Sequence, residues 1–555
     1  MAGRFEDPSS PSLRAPRRLS PDLILLNGKV FTANPANRYV QAVAIAGDRI
    51  LAVGTTQEIA RLADTHTERI DLAGRVVIPG INDAHFHHTP DPRATVLSFR
   101  SMEPSWDEVL DSLASTVKEA PKGDWILGIH GISVVNDPRA TRFELDRIAP
   151  DHPVRLNAYF GHGSVLNSKA IAALEMSEEE PDPFGGCCER VPGTRRISGK
   201  FFGYAQWPHW RRLACQASDE EAIESAQQLA QEAIRFGVTS MQNMSLMATG
   251  RYVRALERAK LPLRIRVIRF PATGAAARDL SQAHDLPEQP QRGARVAVSG
   301  TKWLLDGTPL ERRAALRSEY RDREGWSGQL YLPEPEMRAM IHESLESNDP
   351  LLVHAVGDRT AELFLGAMES EAKHVDWPSR RVRVEHGDGL LPDLVPLARD
   401  LGVIVVQNPS HFVFKDIFAA RYGEPFDYSP ARSLVEAGIP FALGSDGPLN
   451  PFLNLMFAVL HPSRPSEALT REQAVEAYTR GSAYAEFQEQ EKGEIAPGKL
   501  ADLAVLSQDI FTLPVPDLPR TESLLTVVGG EIVYQSGTIQ RPAERGAAPR
   551  SRGPS

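Results

Sequence analysis

Four histidines and one aspartate lie at the ends of short apolar segments of the chain. His85 and His87 share one segment, and His354, His386 and Asp446 each end another. Residues i and i+2 of a β-strand face the same side, so the imidazoles of His85 and His87 are predicted to point together. Imidazole and carboxylate groups gathered in one place suit Zn²⁺, and also Mn²⁺, Fe²⁺ or Co²⁺. The pattern therefore predicts a metal centre.

The elements that must position these side chains are eight apolar runs, with helical stretches between several of them. Such alternation is typical of parallel α/β structure, and eight β/α units suggest a closed TIM barrel whose strands end at one rim. Any one of the histidines alone could be an ordinary buried side chain, but a metal or catalytic cluster explains all five residues at once. The predicted strands are Val76–His85, Val238–Asn243, Leu263–Arg269, Thr301–Leu305, Leu351–His354, Arg381–His386, Val403–Gln407 and Phe441–Asp446.

Lys302 interrupts one of these apolar runs. Burial beside cations lowers the pKa of a lysine and exposes a neutral, nucleophilic amine. Such an amine can combine with CO₂ to give a carbamate, an anion whose two oxygens can bridge two metal ions. The alternative is a lysine that extends its ammonium group to solvent or pairs it with Asp306.

Both ends of the chain carry short strand-like segments with hairpin-type turns. Asn27-Gly28, Gly47-Asp48 and Gly529-Gly530 mark these turns. Neither end offers enough strands for a stable sheet by itself. We therefore predict one small β-sandwich built from residues 21–75 and 496–540.

The barrel is predicted to occupy residues 76–495. The stretch between its first and second strands is too long for a structureless loop, so residues 95–215 are read as an inserted subdomain near the barrel mouth, where substrate would bind. Residues 1–20 and 541–555, which are rich in Pro, Arg, Ser or Gly, are expected to be disordered tails.

The composition excludes several classes of protein. The 555 residues carry a net charge of −10 without a basic stretch, which argues against nucleic-acid binding, and no apolar run is long enough to span a bilayer. Arg17-Arg18 precedes no apolar region and is not read as an export signal. Three cysteines do not make a disulfide framework, which suits the cytoplasm. The expected partner is a small-molecule substrate, and a homodimer is one option.

The chain resembles the amidohydrolase superfamily, in its amidohydrolase-3 (YtcJ-like) branch. The resemblance spans about residues 22–536, and its motifs stand in order along the chain: Val77–His87, Lys302–Gly307, His354–Arg359, Arg383–His386, Leu443–Asp446 and Gly498–Leu503.

The resemblance implies a centre with two divalent metal ions, most simply Zn²⁺, although some relatives keep one. His85 and His87 would bind one metal with Asp446, while His354 and His386 would bind the other. A carboxylated Lys302 would bridge the two.

The resemblance also points to residues that contact substrate. His162, in the insertion motif Gly161–Ser168, is a candidate for contacting substrate or an oxyanion, unless it is a structural loop histidine. His411, Arg312 and Arg313 are weaker candidates on the expected rim. Relatives often carry a glutamate after a Thr-Gly element where this chain reads Ser198-Gly199-Lys200-Phe201-Phe202-Gly203-Tyr204, so their specificity is not carried over.

The sequence thus predicts a metal-dependent amidohydrolase that cleaves an amide or N-formyl bond of a small molecule. A metal-bound hydroxide would attack the carbonyl carbon, and Asp446 would carry the proton to the leaving nitrogen. Ester or lactone hydrolysis, deamination, and lyase or isomerase chemistry remain alternatives on the same site. A non-catalytic metal-binding regulatory protein is the alternative of another class.

Overall fold

The computed structural model describes residues 20–283 and 294–537, so the tails predicted at residues 1–20 and 541–555 fall almost wholly outside the described residues. The described part of the chain begins with short strands and one short α-helix. The strands are β1 (Leu23–Leu26), β2 (Lys29–Phe31), β3 (Tyr39–Val40), β4 (Ala42–Ala46), β5 (Arg49–Gly54), β6 (Glu68–Asp71) and β7 (Val76–Pro79), with helix α1 (Thr56–Ala60) after β5.

The first barrel strand, β8 (Ile81–Phe86), is followed by a separate sheet in the inserted region. This sheet has the strand order β13-β14-β12-β11-β10-β9. Its strands are β9 (Ala94–Val96), β10 (Trp125–His130), β11 (Val154–Ala158), β12 (Ser164–Leu166), β13 (Gly186–Arg190) and β14 (Ile197–Gly203). The helices that accompany it are α2 (Trp106–Glu119), α3 (Ile132–Asn136), α4 (Arg142–Ile148), α5 (Ser168–Ala173) and α6 (Gln206–Gln216).

Seven further parallel strands complete an eight-stranded sheet in chain order from β8, which confirms the predicted TIM barrel. They are β15 (Val238–Met244), β16 (Arg264–Arg269), β17 (Val296–Leu304), β18 (Leu351–Ala355), β19 (Arg383–His386), β20 (Ile404–Gln407) and β21 (Phe441–Leu443). Each strand is buried along most of its length, as expected for a parallel sheet covered by helices.

Helices follow or separate the barrel strands. The helix before β15 begins with the capping box of Ser218 and Glu221 and ends ahead of Gly237, as its sequence predicts. The helices are α7 (Asp219–Arg235), α8 (Thr249–Ala259), α9 (Leu280–Ala283), α10 (Glu334–Ser347), α11 (Asp358–Ser370), α12 (Trp377–Arg380), α13 (Val395–Asp400), α14 (Lys415–Tyr422), α15 (Arg432–Glu436), α16 (Pro451–Leu460), α17 (Arg471–Glu476) and α18 (Ser482–Ala485). Within the described ranges, every helix is too short or too polar to cross a lipid bilayer.

Strands from both chain ends form one sheet, and a second sheet of N-terminal strands packs against it. The last three strands are β22 (Leu503–Leu506), β23 (Ser523–Val528) and β24 (Glu531–Gln535). They extend a six-stranded sheet of order β24-β23-β22-β7-β2-β3, which faces a four-stranded sheet of order β5-β4-β1-β6. Leu25 and Ile45 of the smaller sheet share a buried core with Val77, Leu503 and Leu525 of the larger one.

Two local predictions are wrong. Asn27-Gly28 does not form a hairpin, because β1 pairs with β4 and β6 whereas β2 pairs with β3 and β7, so this turn carries the chain from one sheet to the other. The predicted first barrel strand Val76–His85 is two strands, since Val76–Pro79 pairs with β22 in the larger sandwich sheet. Gly80 joins them at a point where an added Cβ would lie 2.2 Å from the hydroxyl oxygen of Thr239.

Deleting residues 500–555 is expected to give aggregated or proteolysed protein. The deletion exposes the edge of β7 and removes Leu503, Val505, Leu525 and Val527 from the sandwich core. Burial of one such side chain is worth about 1.5–3 kcal/mol, so the loss is comparable to the whole stability of an ordinary domain. Deleting only residues 541–555, which keeps every described strand, is the control. A soluble and active 1–499 fragment would contradict the shared sandwich.

Candidate metal centre

The two ends of the barrel sheet meet at its carboxyl rim. The backbone N–H of Asp446 donates to the carbonyl of His85 over 3.0 Å, and that of Ser445 donates to the Asp83 carboxylate over 2.9 Å. Gly444 makes this approach feasible, since an added Cβ would lie 2.4 Å from the His85 nitrogen. The contact that closes the barrel therefore also brings the first and last predicted ligands together.

His85, His87 and Asp446 form the first group of candidate ligands. The Nε2 atoms of His85 and His87 lie 3.2 Å apart, and the Asp446 carboxylate lies 3.7 Å from the former and 3.8 Å from the latter. One ligand atom from each residue falls within 4.8 Å of the other two. The three residues are those that the resemblance assigns to the first metal ion, and their role as ligands stays a prediction.

The second group contains a residue that the sequence analysis gave a minor role. Nε2 of His386 lies 4.0 Å from the Asp446 carboxylate, and Nε2 of His411 lies 3.8 Å from it. The His354 ring lies 4.6 Å from the His386 ring, and its Nε2 lies 3.3 Å from the carbonyl oxygen of Gly307. His411 thus joins His386 and Asp446, while His354 lies beside them.

Lys302 lies within this cluster. Its side chain is buried, and its Nζ is 3.0 Å from Nε2 of His85. Burial lowers the pKa of Lys302 to about 8, although Glu385 and Asp446 oppose the shift. Asp306 accepts hydrogen bonds from the Gly357 N–H and the Thr360 hydroxyl and is not the partner of this lysine. The structure therefore favours the reading of Lys302 as a buried amine over the alternatives of a solvent-exposed or Asp306-paired lysine.

The protonation of the cluster suits metal binding. Burial lowers the pKa of His87 to about 4 and holds the pKa of His85, His354 and His386 well below the usual range, so their ring nitrogens keep free lone pairs. Burial alone would raise the pKa of Asp446, but the positive charges that the adjacent histidines carry at low pH, and that of Lys302, hold it below its usual range. Neutral imidazoles around an ionised carboxylate are a donor set that divalent transition metals take.

Glu385 supports the centre from behind, a role that the sequence analysis did not assign. Its carboxylate lies 2.5 Å from Nδ1 of His85 and accepts a 2.8 Å hydrogen bond from the guanidinium of Arg383. All three side chains are fully buried. Nδ1 of His87 similarly meets the carbonyl of Met244 at 3.1 Å. Both contacts leave Nε2 for a metal, the usual function of such supporting groups.

The backbone is held in an unusual conformation at two of the candidate ligands. His386 has φ of +70° and Asp446 has φ of +38°, a left-handed region that residues with a side chain rarely adopt. Such conformations concentrate at functional sites, where the surrounding structure imposes them. Both residues turn the chain away from the strand direction at the rim.

The substrate-contact candidates are placed differently from one another. The His162 ring lies 4.9 Å from the His354 ring, so the insertion reaches the cluster. The Arg312 guanidinium pairs with Asp322 at 2.9 Å, and that of Arg313 lies 4.8 Å above the Phe202 ring. Among the described residues, these two arginines make no ion pair with the metal-ligand candidates.

A closed barrel with an imidazole–carboxylate cluster at its carboxyl rim is an architecture of metal-dependent hydrolases. A family model described as "Amidohydrolase family" matches residues 68–534, and the chain belongs to this family. It is 25% identical over 536 residues to the N-substituted formamide deformylase of Arthrobacter pascens, covering 93% of this chain and 98% of that protein. It is 27% identical over 540 residues to the putative amidohydrolase YtcJ of Bacillus subtilis (strain 168), covering 92% and 98%.

A crystal structure of an uncharacterized metal-dependent hydrolase from Pyrococcus furiosus has the same fold. The TM-score is 0.68 at 23% sequence identity, and the match covers 88% of this chain and 100% of that one. The predicted resemblance to the YtcJ-like amidohydrolases is confirmed, and the chain is a metal-dependent hydrolase that acts on carbon–nitrogen bonds.

The substitution Glu385→Gln is expected to weaken metal binding about 10–100-fold, the range found when a group that supports a ligand is changed. The variant keeps the shape of the side chain but loses the charge that holds the His85 ring. Metal affinity is measured by competition with a chelating dye. The control is Glu489→Gln, which removes the partner of Arg381 near the opposite end of the same strand. An unchanged affinity in folded Glu385→Gln protein would contradict this role.

Proposed function

We propose that this protein hydrolyses an amide or N-formyl bond of a small molecule with two divalent metal ions, most simply Zn²⁺. The observation that carries the proposal is the position of the Asp446 carboxylate, within 4.0 Å of both histidine groups at the barrel rim. The name of the Arthrobacter pascens relative, an N-substituted formamide deformylase, supports this bond type.

The donor set accommodates two ions. His85 and His87 would hold one with Asp446, and His386 would hold the other with His354 or His411. Nζ of Lys302 would combine with CO₂ and release a proton, giving a carbamate that supplies the bridging anion. Bound metal ions of this kind activate water and polarise a carbonyl oxygen.

Asp446 is the proposed proton carrier. It is held unprotonated by its neighbours, so it can accept the proton of the attacking water. It can then deliver that proton to the leaving nitrogen, which would otherwise depart as an unstable anion. Burial lowers the pKa of the ligand candidates His85, His87, His354 and His386, so these rings are neutral and can serve as ligands.

Two aromatic side chains, Phe270 and Trp207, lie beside the proposed reaction site. The Phe270 ring lies 5.3 Å from the His87 ring, and the Trp207 ring lies 5.4 Å from Phe270 and 6.4 Å from His162. Apolar rings at this position exclude water from one side of the cluster and strengthen the electrostatic interactions inside it.

We also propose that the protein works in the cytoplasm. Cys187, Cys188 and Cys215 form no disulfide, in keeping with a cytoplasmic enzyme. We further predict that the substrate is a small molecule, and a homodimer remains one option for the assembly.

The substitution Asp446→Asn is expected to lower kcat by at least about 10²-fold, because the amide cannot accept the proton. The loss persists at saturating substrate, since it falls on the transition state. A panel of small amides, N-formyl compounds, esters and aminated rings first identifies a substrate and separates the alternative reactions.

Two comparisons make the Asp446 test specific. Metal content is expected to fall less than in His85→Ala, because an amide oxygen can still bind a metal. Asp349→Asn, at the opposite end of the barrel, is the control for removing a partly buried carboxylate. Near-normal turnover in metal-replete Asp446→Asn protein would show that another residue carries the proton.

A further inference from the structure

His162 approaches the metal centre from the insertion with one ring nitrogen unused. Its side chain is 7% exposed, and its Nδ1 is buried without a hydrogen-bond partner among the described residues. The ring packs against His354, at 4.9 Å between centroids, and against Trp207, at 6.4 Å. A buried imidazole nitrogen of this kind needs a defined protonation state, because either form requires its own partner.

Glu311, which follows β17 in the rim loop, lies beside that nitrogen. Its carboxylate lies 3.6 Å from Nδ1 of His162, and its side chain is 2% exposed. Its two oxygens accept hydrogen bonds from the backbone N–H of Thr308, at 2.8 Å, and from the Thr308 hydroxyl. Within the part of the chain that the structure describes, His162 is the one basic side chain within 4.0 Å of Glu311.

The two donors of Thr308 stabilise the charged form of Glu311. Burial raises the pKa of Glu311 to about 7, although these hydrogen bonds and the charge of Arg313 oppose the shift, so Glu311 is a carboxylate above that pH. A carboxylate is an acceptor only, so the favourable contact with Nδ1 of His162 is one in which Nδ1 carries the proton. The separation of 3.6 Å exceeds a normal hydrogen bond by less than 1 Å, and such contacts tighten when substrate closes a site.

A neutral imidazole has one proton, so placing it on Nδ1 leaves a lone pair on Nε2. We propose, building on the proposed hydrolysis, that Glu311 is a positioning residue that holds the proton of His162 on Nδ1, so that Nε2 accepts a hydrogen bond from an N–H of the substrate. In this state Nε2 cannot donate to an oxyanion, which was the other role open to His162.

The proposal specifies a substrate class. An amide or formamide that keeps an N–H satisfies the lone pair of His162, whereas a tertiary amide or an ester leaves it unpaired. The tertiary amide loses one hydrogen bond and also leaves a buried acceptor unpaired, and both effects disfavour it. Secondary amides are therefore expected to be preferred over their N-methyl counterparts by at least about tenfold in kcat/KM.

The tautomer is measured directly on the full-length, metal-loaded protein labelled with ¹⁵N-histidine. Long-range ¹H–¹⁵N spectra distinguish a protonated from an unprotonated ring nitrogen, and His162→Gln identifies the signals of His162. We expect a proton on Nδ1 and none on Nε2 in the wild-type protein. A proton on Nε2 would overturn the proposal, and this result needs neither a substrate nor a variant at Glu311.

Variants then test whether Glu311 sets the tautomer. Glu311→Ala is expected to move the proton to Nε2, wholly or in part, and an unchanged tautomer would overturn the proposal. Thr308→Val removes one donor to Glu311 but keeps the carboxylate, so the tautomer is expected to stay. A change in Thr308→Val as large as that in Glu311→Ala would assign the effect to the loop and overturn the proposal.

Matched secondary and N-methyl amides give the functional readout. The ratio of kcat/KM for the secondary amide to kcat/KM for the N-methyl amide is expected to fall towards one in Glu311→Ala and in His162→Ala. The double variant is expected to show no further fall. A preference that survives in Glu311→Ala would contradict the proposal. If the wild-type protein cleaves neither amide, the proposed function fails, while the tautomer measurement still decides the pairing of Glu311 with His162.

Discussion

The contact between the first and last barrel strands is the constraint on which the site depends. His85 and Asp446 stand 361 positions apart in the chain but are joined by one backbone hydrogen bond. That bond, and the absence of a side chain at Gly444, set the distance between the first histidine pair and the shared carboxylate. The cluster is therefore a property of the closed barrel, and a local motif alone cannot form it.

Several ionisable groups are buried together in this cluster, which costs free energy if they are charged and unpaired. The structure reduces this cost in two ways. Burial keeps the imidazoles neutral, so they do not repel one another as cations. The interior of the barrel adds a polar support, in which Arg383 holds Glu385 and Glu385 holds the His85 ring. A bound metal ion would complete the balance by taking the lone pairs that this arrangement leaves free.

Much of this centre could be predicted from the sequence, because barrel geometry sends all strand ends to one rim. The spacing of His85 and His87 and the polar interruption at Lys302 were sufficient signals. The sequence named His411 only as a weak candidate for substrate contact and did not predict its place beside His386 and Asp446, since a rim loop, and not a strand, positions it. Glu385 left a signal that was not used: it stands two residues after Arg383, so the two side chains face the same side of the strand. The Asn27-Gly28 turn was misread because local turn residues do not tell which sheet each strand joins.

The most direct test of the account is the metal content of purified, metal-replete protein, measured by elemental analysis. The six predicted ligands and His411 are expected to hold about two divalent ions per chain. The variant His85→Ala, which removes a ligand beside the contact between the first and last barrel strands, is expected to hold fewer ions. A ratio of one would assign the chain to the mononuclear relatives of the family. A ratio near zero in the folded wild-type protein would contradict the central claim that this cluster is a metal site.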